Sequence, residues 1–355
     1  MHGTYLYGIV EGGLELPPGI LGVDGISPVR VIATAGLACI LSDYQGREPT
    51  SLPKEQLVKT LLAHQRVVEQ AMQEGTVLPV KFGTIFREQQ EALAMLKQGR
   101  SSLRGALSFA SDKVEVDVAA TWDSRRVIEE IGREEHIARL KETLAQRGSL
   151  ALEDRVQLGQ MVKASLDRRR DDYRDRIAGA LRPCSLDEVS NPIISDELVL
   201  NVACLVERTR LPELEQIMQG LDQFFQGQLN FRVIGPLPLY SFATVEITPL
   251  TSEQVEEAKQ ALHLDGAISE AEVRKAYRRL AAQRHSAAPS HEESGTKEID
   301  ELRQASTLLV RYCHVQSGTR QERDGAFFIA IKGSKSPEIE GSRYGAPKDS
   351  GGANG

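Results

Sequence analysis

The sequence predicts an α+β protein with two compact sheet-containing units, a small helical module and a tail. Short runs rich in branched and aromatic residues alternate with longer stretches whose apolar residues recur at spacings of three and four. Turn residues, chiefly Gly and Pro, separate these runs. Because strands and helices alternate in this way without a solenoid repeat, we expect helices packed on sheets around separate cores.

The first unit, residues 1–118, opens with a strand at Thr4–Val10, followed by a hairpin around Ala35-Gly36. A helix is predicted over Pro53–Glu74, and its apolar residues share one face: Leu57, Leu61, His64, Val68 and Met72. The remaining predicted elements are a strand at Val77–Val80, helices between Arg87 and Phe109, and a strand at Lys113–Ala119.

The second unit, residues 119–249, begins with charged helical sequence from Asp123 to Leu181. The elements predicted after it are a strand at Glu197–Val206, a helix at Leu211–Gln226, a strand at Leu229–Ile234, a turn at Gly235–Pro238 and a strand at Tyr240–Ile247. Counted from Lys113, this order of strands and helices fits a ferredoxin-like unit, and the first unit is expected to be ferredoxin-like as well. The Lys113 strand is compatible with either unit.

The third part of the chain begins where the sequence changes character at Thr248-Pro249. Residues 250–332 predict a helical module with three helices and a short final strand, at Ser252–Leu262, Ser269–His285, Lys297–Val315 and Gly325–Lys332. In residues 333–355, Gly, Ser, Pro and charged residues dominate, so we expect disorder there.

Composition restricts the class of protein. The chain has 355 residues, 41% of them hydrophobic, and a formal net charge of -7, which argues against nucleic-acid binding. No apolar run approaches the roughly 20 residues of a membrane span, and the N-terminus lacks a signal-peptide pattern. The widely spaced cysteines predict reduced structural thiols in a cytoplasmic protein; they are Cys39, Cys184, Cys204 and Cys313.

No nucleophile–base pair, metal-ligand spacing or phosphate-binding loop is visible, so we expect neither an enzyme nor a cofactor. His64 is interpreted as a satisfied core or boundary histidine rather than a ligand, and Trp122 as a packing residue. The mixed-sign run Arg168–Arg176 is interpreted as a solvated helix face with internal ion pairs, with a phosphate-binding patch as the alternative.

Two blocks of sequence, in order, carry a resemblance to a known family. The first comprises Tyr5–Val10, Leu37–Ser42 and His64–Thr84, which ends in Val77-Leu78-Pro79-Val80-Lys81-Phe82-Gly83-Thr84. The second comprises Asn201–Val206 and Gly235–Phe242, where Leu239 replaces a proline common in the family. Over Thr4–Ile247 the chain therefore resembles the gas vesicle protein GvpF/GvpL family.

The resemblance implies a cytoplasmic accessory or minor structural protein of gas vesicles, without enzymatic activity. Its implied partners are the small, hydrophobic shell protein and other gas vesicle accessory proteins. A shell subunit with large apolar faces aggregates unless those faces are covered. An accessory domain can cover them with an apolar groove, or by adding a strand to a sheet edge.

We expect the shell contact at the end of the first block. The candidate residues are Val77, Leu78, Val80, Lys81, Phe82, Ile85 and Phe86. Strand alternation places Leu78, Val80 and Phe82 together on the core side, and leaves Ile85 or Phe86 near an edge or groove. Lys81 is expected either to meet a carboxylate of the shell protein or to lie exposed at the strand end. The alternative is that all the apolar candidates are core residues.

The helical module resembles a J-domain through Ala261–Leu264, Ile268–Ala281 and Glu298–Leu308. A working J-domain needs His-Pro-Asp in the loop after its second helix to stimulate a DnaK-type chaperone, whereas here His285 precedes Ser286 and Ala287. Because the rigid proline and the acid are both missing, we expect a degenerate module without a DnaK-type partner. The alternative function is a co-chaperone adaptor that recruits such a chaperone. The basic helix Arg274–Arg284 is either a docking face or a solvated helix.

Overall fold

The computed structural model describes residues 2–146, 152–250, 252–287, 293–316 and 326–332. Helices and antiparallel strands alternate through these residues, and the predicted α+β class is confirmed. The tail that we expect to be disordered, residues 333–355, lies outside the described residues.

The N-terminal domain is built on an antiparallel sheet. Its strands are β1 (His2–Glu11), β2 (Arg30–Thr34), β3 (Leu37–Gln45), β4 (Val77–Pro79) and β5 (Ile85–Phe86). The order is β2-β3-β1-β4, and β5 also pairs with β1. Ala35 and Gly36 both have positive φ, 54° and 79°, as a tight hairpin turn between β2 and β3 requires.

Helices cover both faces of this sheet. They are α1 (Lys54–Glu74), α2 (Gln89–Gln98) and α3 (Arg100–Ala110). One core cluster joins α1 to Tyr5, Tyr7 and Ile40, whereas the other joins α2 and α3 to Leu6 and Leu41. The alternating side chains of β1 and β3 therefore supply two cores, because neighbouring residues in a strand point to opposite faces.

The second domain has its own antiparallel sheet. Its strands are β6 (Lys113–Thr121), β7 (Asp187–Ser190), β8 (Leu198–Glu207) and β9 (Asn230–Leu237), in the order β7-β8-β6-β9. Its helices are α4 (Ser124–Ile131), α5 (Glu135–Gln146), α6 (Leu152–Leu181) and α7 (Leu211–Phe225). The first strand of this unit lies between its third and fourth strands, which is the ferredoxin-like order.

The structure corrects three expected limits. The domain boundary expected at residue 118 falls inside β6, which belongs to the second sheet along its whole length. Gly235 and Pro236, expected in a turn, lie within β9. The strand expected at Tyr240–Ile247 begins only at Val245 and leaves the second sheet. The alternating pattern of a strand indicates a half-buried face, but it does not identify the sheet that the strand joins.

A C-terminal strand pair extends the N-terminal domain. Strand β10 (Val245–Leu250) pairs antiparallel with β11 (Ala326–Ile331). Val245 forms a parallel bridge with Val80, and its carbonyl accepts the Lys81 N–H at 2.9 Å. The last strand of the module expected at residues 250–332 therefore belongs to the edge of the N-terminal domain.

The helical module lies between β10 and β11 in sequence. Its helices are α8 (Ser252–Ala261), α9 (Glu270–Ala287) and α10 (Glu293–Gln316), and they share a small core that includes Val255, Val273 and Leu309. His285, Ser286 and Ala287 lie in the last turn of α9, not in the loop where a J-domain carries its signature.

Candidate functional site

The segment Val77–Phe86 lies beside β1 and contributes to both cores. β4 pairs antiparallel with β1, with Leu78 opposite Ile9. Val77 packs on the α1 side of the sheet, whereas Leu78, Val80 and Phe86 pack on the side of α2 and α3. Among the candidate contact residues, those that reach the surface are Lys81, Phe82 and Ile85.

A turn after Val80 redirects the chain. Gly83 has φ 84°, in the left-handed region that glycine adopts without strain. The Thr84 hydroxyl and N–H both donate to the Lys81 carbonyl, at 2.7 and 3.2 Å. The turn moves Phe82 to the α1 side, where its ring meets the His64 ring edge-on at 5.7 Å between centroids. The expectation that Phe82 shares a face with Leu78 and Val80 is therefore wrong.

His64 is a core histidine held by aromatic residues. It is 2% exposed, and its Nδ1 lies 3.1 Å from the Tyr5 hydroxyl, which also accepts the Gly83 N–H at 3.1 Å. The His64 ring stacks on Tyr7. Burial lowers the pKa of His64 to about 4, against a partial offset from a hydrogen bond with the Val80 backbone. The ring is therefore neutral at pH 7 and joins α1 to the turn after β4.

Phe86 is buried beneath the C-terminal strand. Its ring meets that of Phe327 edge-on at 5.3 Å between centroids, and both side chains are less than 5% exposed. Gln98, at the end of α2, holds the same strand: its Nε2 donates to the Phe327 carbonyl at 2.7 Å, and its Oε1 accepts the Phe327 N–H at 3.1 Å. The amide of Gln98 thus pairs with the outer edge of β11 as a neighbouring strand would.

An ion cluster closes the far end of this strand pair. Glu246 Oε1 lies 2.6 Å from Lys332 Nζ and 3.4 Å from Lys81 Nζ. The hydrogen bond from Lys332, with the positive charge of Lys81, lowers the pKa of the Glu246 carboxyl. Lys81 therefore already meets a carboxylate, and that carboxylate belongs to its own chain.

The outer side of α1 carries apolar residues that sequence reasoning placed elsewhere or missed. Leu61, expected on the buried face, is 37% exposed, and Thr60 is buried in its place. Val58 and Leu62 are also exposed. We call Val58, Leu61 and Leu62 the α1 apolar surface. The apolar residues of α1 cover a wider part of the helix surface than the core can bury. This surplus of apolar residues is the signal from which the α1 apolar surface could have been predicted.

A buried glutamate joins the two domains. Glu115 of β6 is 2% exposed, and its Oε2 and Oε1 accept hydrogen bonds from the Ser241 N–H and hydroxyl, at 2.6 and 2.8 Å. Burial raises the pKa of Glu115 to about 7, although the bonds from Ser241 counteract this. Ser241 lies in the connection between β9 and β10, so this carboxyl fixes the path by which the chain leaves the second domain.

The charged stretch of α6 is occupied by ion pairs. Arg169 bridges Glu130 and Glu134, each at 2.9 Å, which supports the interpretation of a helix face with internal pairs. Arg176 lies 4.7 Å from the ring centroid of Phe224, which is 55% exposed. Trp122 is buried, and its Nε1 donates to the Asp196 carbonyl at 2.7 Å, so it is a packing residue as predicted.

The part of the chain that the structure describes offers no site for a metal ion. It contains no cluster of three or more His, Cys, Asp or Glu side chains that could hold a metal ion. The four cysteines are thiols, and burial raises the pKa of Cys39 well above its ordinary value, which keeps it unreactive. The described residues include no helix that could span a membrane.

Comparison with known proteins gives matches over the two sheet-containing domains. Residues 3–244 match the family described as "Gas vesicle synthesis protein GvpL/GvpF". Gas vesicle protein F of Streptomyces sp. (strain CB03234) is 32% identical over 243 residues, which cover 67% of this chain and 98% of the relative. Gas vesicle protein F of Microcystis aeruginosa (strain PCC 7806) is 25% identical over 250 residues, 68% of this chain and 98% of the relative.

Solved structures show the same fold. The crystal structure of GvpF from Anabaena sp. PCC7120 superposes with a TM-score of 0.59 at 21% identity, covering 68% of this chain and 98% of that chain. GvpF from Microcystis aeruginosa superposes with a TM-score of 0.53 at 22% identity, covering 67% and 98%. The family match ends at residue 244, just before β10, so the strand pair and the helical module lie outside it.

Proposed function

Because this chain belongs to the GvpL/GvpF family of gas vesicle synthesis proteins, we propose that it binds the hydrophobic shell protein and assists gas vesicle assembly. Its role is that of an accessory or minor structural protein, acting in the cytoplasm with the shell protein and other gas vesicle proteins. The family match over both sheet-containing domains carries this proposal. No catalytic step is included in it.

The physical role follows from the chemistry of the partner. Apolar shell subunits aggregate in water, because burying apolar surface against any apolar neighbour is favourable. A protein that covers these surfaces reversibly keeps the subunits available for assembly. The N-terminal domain offers two places for such a contact: the α1 apolar surface, and the segment with Lys81, Phe82, Ile85 and the covered Phe86.

The test is capture of purified shell protein by the full chain, with vesicle formation on co-expression as a second readout. We expect saturable capture, and fewer or no vesicles when the chain is omitted. Phe82→Ala and Phe86→Ala are compared with Phe224→Ala, which removes an exposed aromatic residue of the second domain. A contact on the N-terminal domain predicts that Phe82→Ala or Phe86→Ala weakens capture by about 2 kcal/mol for an anchoring residue, whereas Phe224→Ala does not. Melting temperatures of the same variants separate lost binding from lost stability. If the full chain captures no shell protein and vesicles form normally when the chain is omitted, the proposed function is contradicted.

A further inference from the structure

The groove under β11 has the properties of a strand-binding site. Its floor contains Phe86, its outer wall is the Gln98 amide, and its inner wall is the backbone of β10. Gly99 leaves the floor flat: a Cβ at this position would collide with Cδ1 of Ile329. The groove therefore receives an extended segment through main-chain hydrogen bonds on one side and an amide clamp on the other.

The occupant shows which sequence the groove accepts. Phe327 fills the aromatic position against Phe86, and Ile329 and Ile331 pack on the same core cluster at alternate positions. Lys332 follows and pairs with Glu246. The pattern is an aromatic residue, two aliphatic residues at alternate positions and then a base. A partner strand of this kind would bury apolar side chains and place one cation on Glu246.

The occupant comes from outside the part of the chain shared with the family. The family match ends at residue 244, and relatives such as the Streptomyces protein are matched over 98% of their own length. β11, at residues 326–331, lies beyond that match. In this chain β11 covers Phe86 and Gln98, which belong to the shared domain, whereas the inner wall of the groove, β10, lies beyond the match together with β11.

On the basis of the proposed function, we propose that this groove is the docking site for an extended apolar segment of the shell protein, and that β11 occupies it as an intramolecular competitor. β11 is apolar from Ala326 to Ile331, so the groove accepts the kind of hydrophobic segment that the proposed function assigns to the shell protein. Phe86 is then covered because β11 occupies the groove, and its burial is compatible with a contact to the shell protein once β11 is displaced. The alternative location for the shell contact is the α1 apolar surface.

The competition has a quantitative consequence. A strand tethered to its own groove acts at an effective concentration on the order of millimolar. Micromolar amounts of a free strand cannot displace it unless its hold is weakened. Phe327→Ala removes the aromatic contact from β11 and leaves the groove unchanged. Lys332→Glu places a like charge beside Glu246 and alters only the exposed end of the competitor.

The first measurement uses a fluorescein-labelled peptide of residues 325–332 and fluorescence anisotropy with the full chain. We expect no binding to the wild type at micromolar peptide and saturable binding to Phe327→Ala, at least tenfold stronger. If circular dichroism shows that Phe327→Ala does not fold, Lys332→Glu is used instead. Its side chain is exposed, so the substitution weakens the hold of β11 without disturbing the core. A folded variant that does not bind the peptide would overturn the strand-binding site.

The second measurement is capture of shell protein by the same variants, with Phe224→Ala as the matched aromatic control. We expect Phe327→Ala to capture several-fold more shell protein than the wild type, and unlabelled peptide to abolish the gain. If Phe327→Ala and the wild type capture equal amounts of shell protein and the peptide changes neither, the groove is not the shell site, and the proposed function stays intact. Peptide binding without any shell capture would instead overturn the proposed function and the assigned occupant.

Discussion

Replacing Glu115 with Gln should change how stability depends on pH. In the folded protein burial raises the pKa of Glu115 to about 7, from an ordinary value of 4.5. The folded state therefore holds the Glu115 proton more tightly than the unfolded chain does. Its contribution to stability is fully present below pH 4.5 and is lost as pH rises to about 7. At 1.36 kcal/mol per pH unit the loss amounts to about 3 kcal/mol.

Gln is the appropriate replacement because its amide preserves the geometry. Its oxygen accepts the Ser241 N–H, and its NH2 group donates to the Ser241 hydroxyl. We therefore expect Glu115→Gln and the wild type to have similar free energies of unfolding at pH 4.5. At pH 8 the variant should be more stable by about 3 kcal/mol, because it carries no buried charge.

His64 opposes this trend in the wild type. Burial lowers its folded pKa to about 4, from 6.5, so its contribution is present above pH 6.5 and lost as pH falls toward 4. The two slopes nearly cancel between pH 4.5 and 6.5. Comparing variant and wild type at the same pH removes the His64 effect, because both proteins contain it.

The assay is urea unfolding followed by circular dichroism at half-unit steps from pH 4.5 to 8. The matched control is Glu11→Gln, at an exposed position at the end of β1. We expect the difference between variant and wild type to grow with pH only for Glu115→Gln. A difference that stays constant across this range would refute the assignment of a buried, proton-binding carboxyl at the domain junction.

Three further predictions concern packing and the helical module. Gly8→Ala should cost about 1–3 kcal/mol in urea unfolding, because its Cβ would lie 2.8 Å from Val77 Cγ2 and 3.2 Å from the Leu78 carbonyl oxygen. The control Gly105→Ala has open space around it in α3 and should be neutral or slightly stabilising. Equal costs for the two variants would contradict the close approach at Gly8. Phe86→Ala should cost about 3–5 kcal/mol and the half-buried Phe82→Ala clearly less, and the reverse order of melting temperatures would be inconsistent with their burial. The full chain should not stimulate steady-state ATP hydrolysis by a DnaK-type chaperone, since its His-Ser-Ala lies in a helix; stimulation would show that the missing Pro-Asp is dispensable.

Local patterns predicted the elements whose signals are local. The strand at Thr4–Val10, the hairpin around Ala35-Gly36 and the helix before Glu74 all lie where period and turn chemistry place them. Partner choice was not predictable in the same way. The Lys113 strand shows its alternation in sequence, but its pairing with β8 and β9 depends on residues far along the chain.

The candidate site was predictable only in part, for a related reason. The sequence identified an unusually apolar segment that ends at Phe86, but one glycine-containing turn was enough to move Phe82 to the other face. The cover over Phe86 comes from Phe327, and no local pattern connects two such distant positions. Glu115 was missed because, in sequence, it occupies the polar position of an alternating strand.

The position of β11 also sets the order in which the chain can complete its folding. Gln98 and Phe327, which clamp this strand, are 229 positions apart. At typical translation speeds of 5–20 residues per second, roughly 10–50 s pass between the synthesis of the two. Throughout this interval Phe86 lacks the residue that covers it in the complete fold. The N-terminal core is therefore completed only after the strand at residues 326–331 has been synthesised.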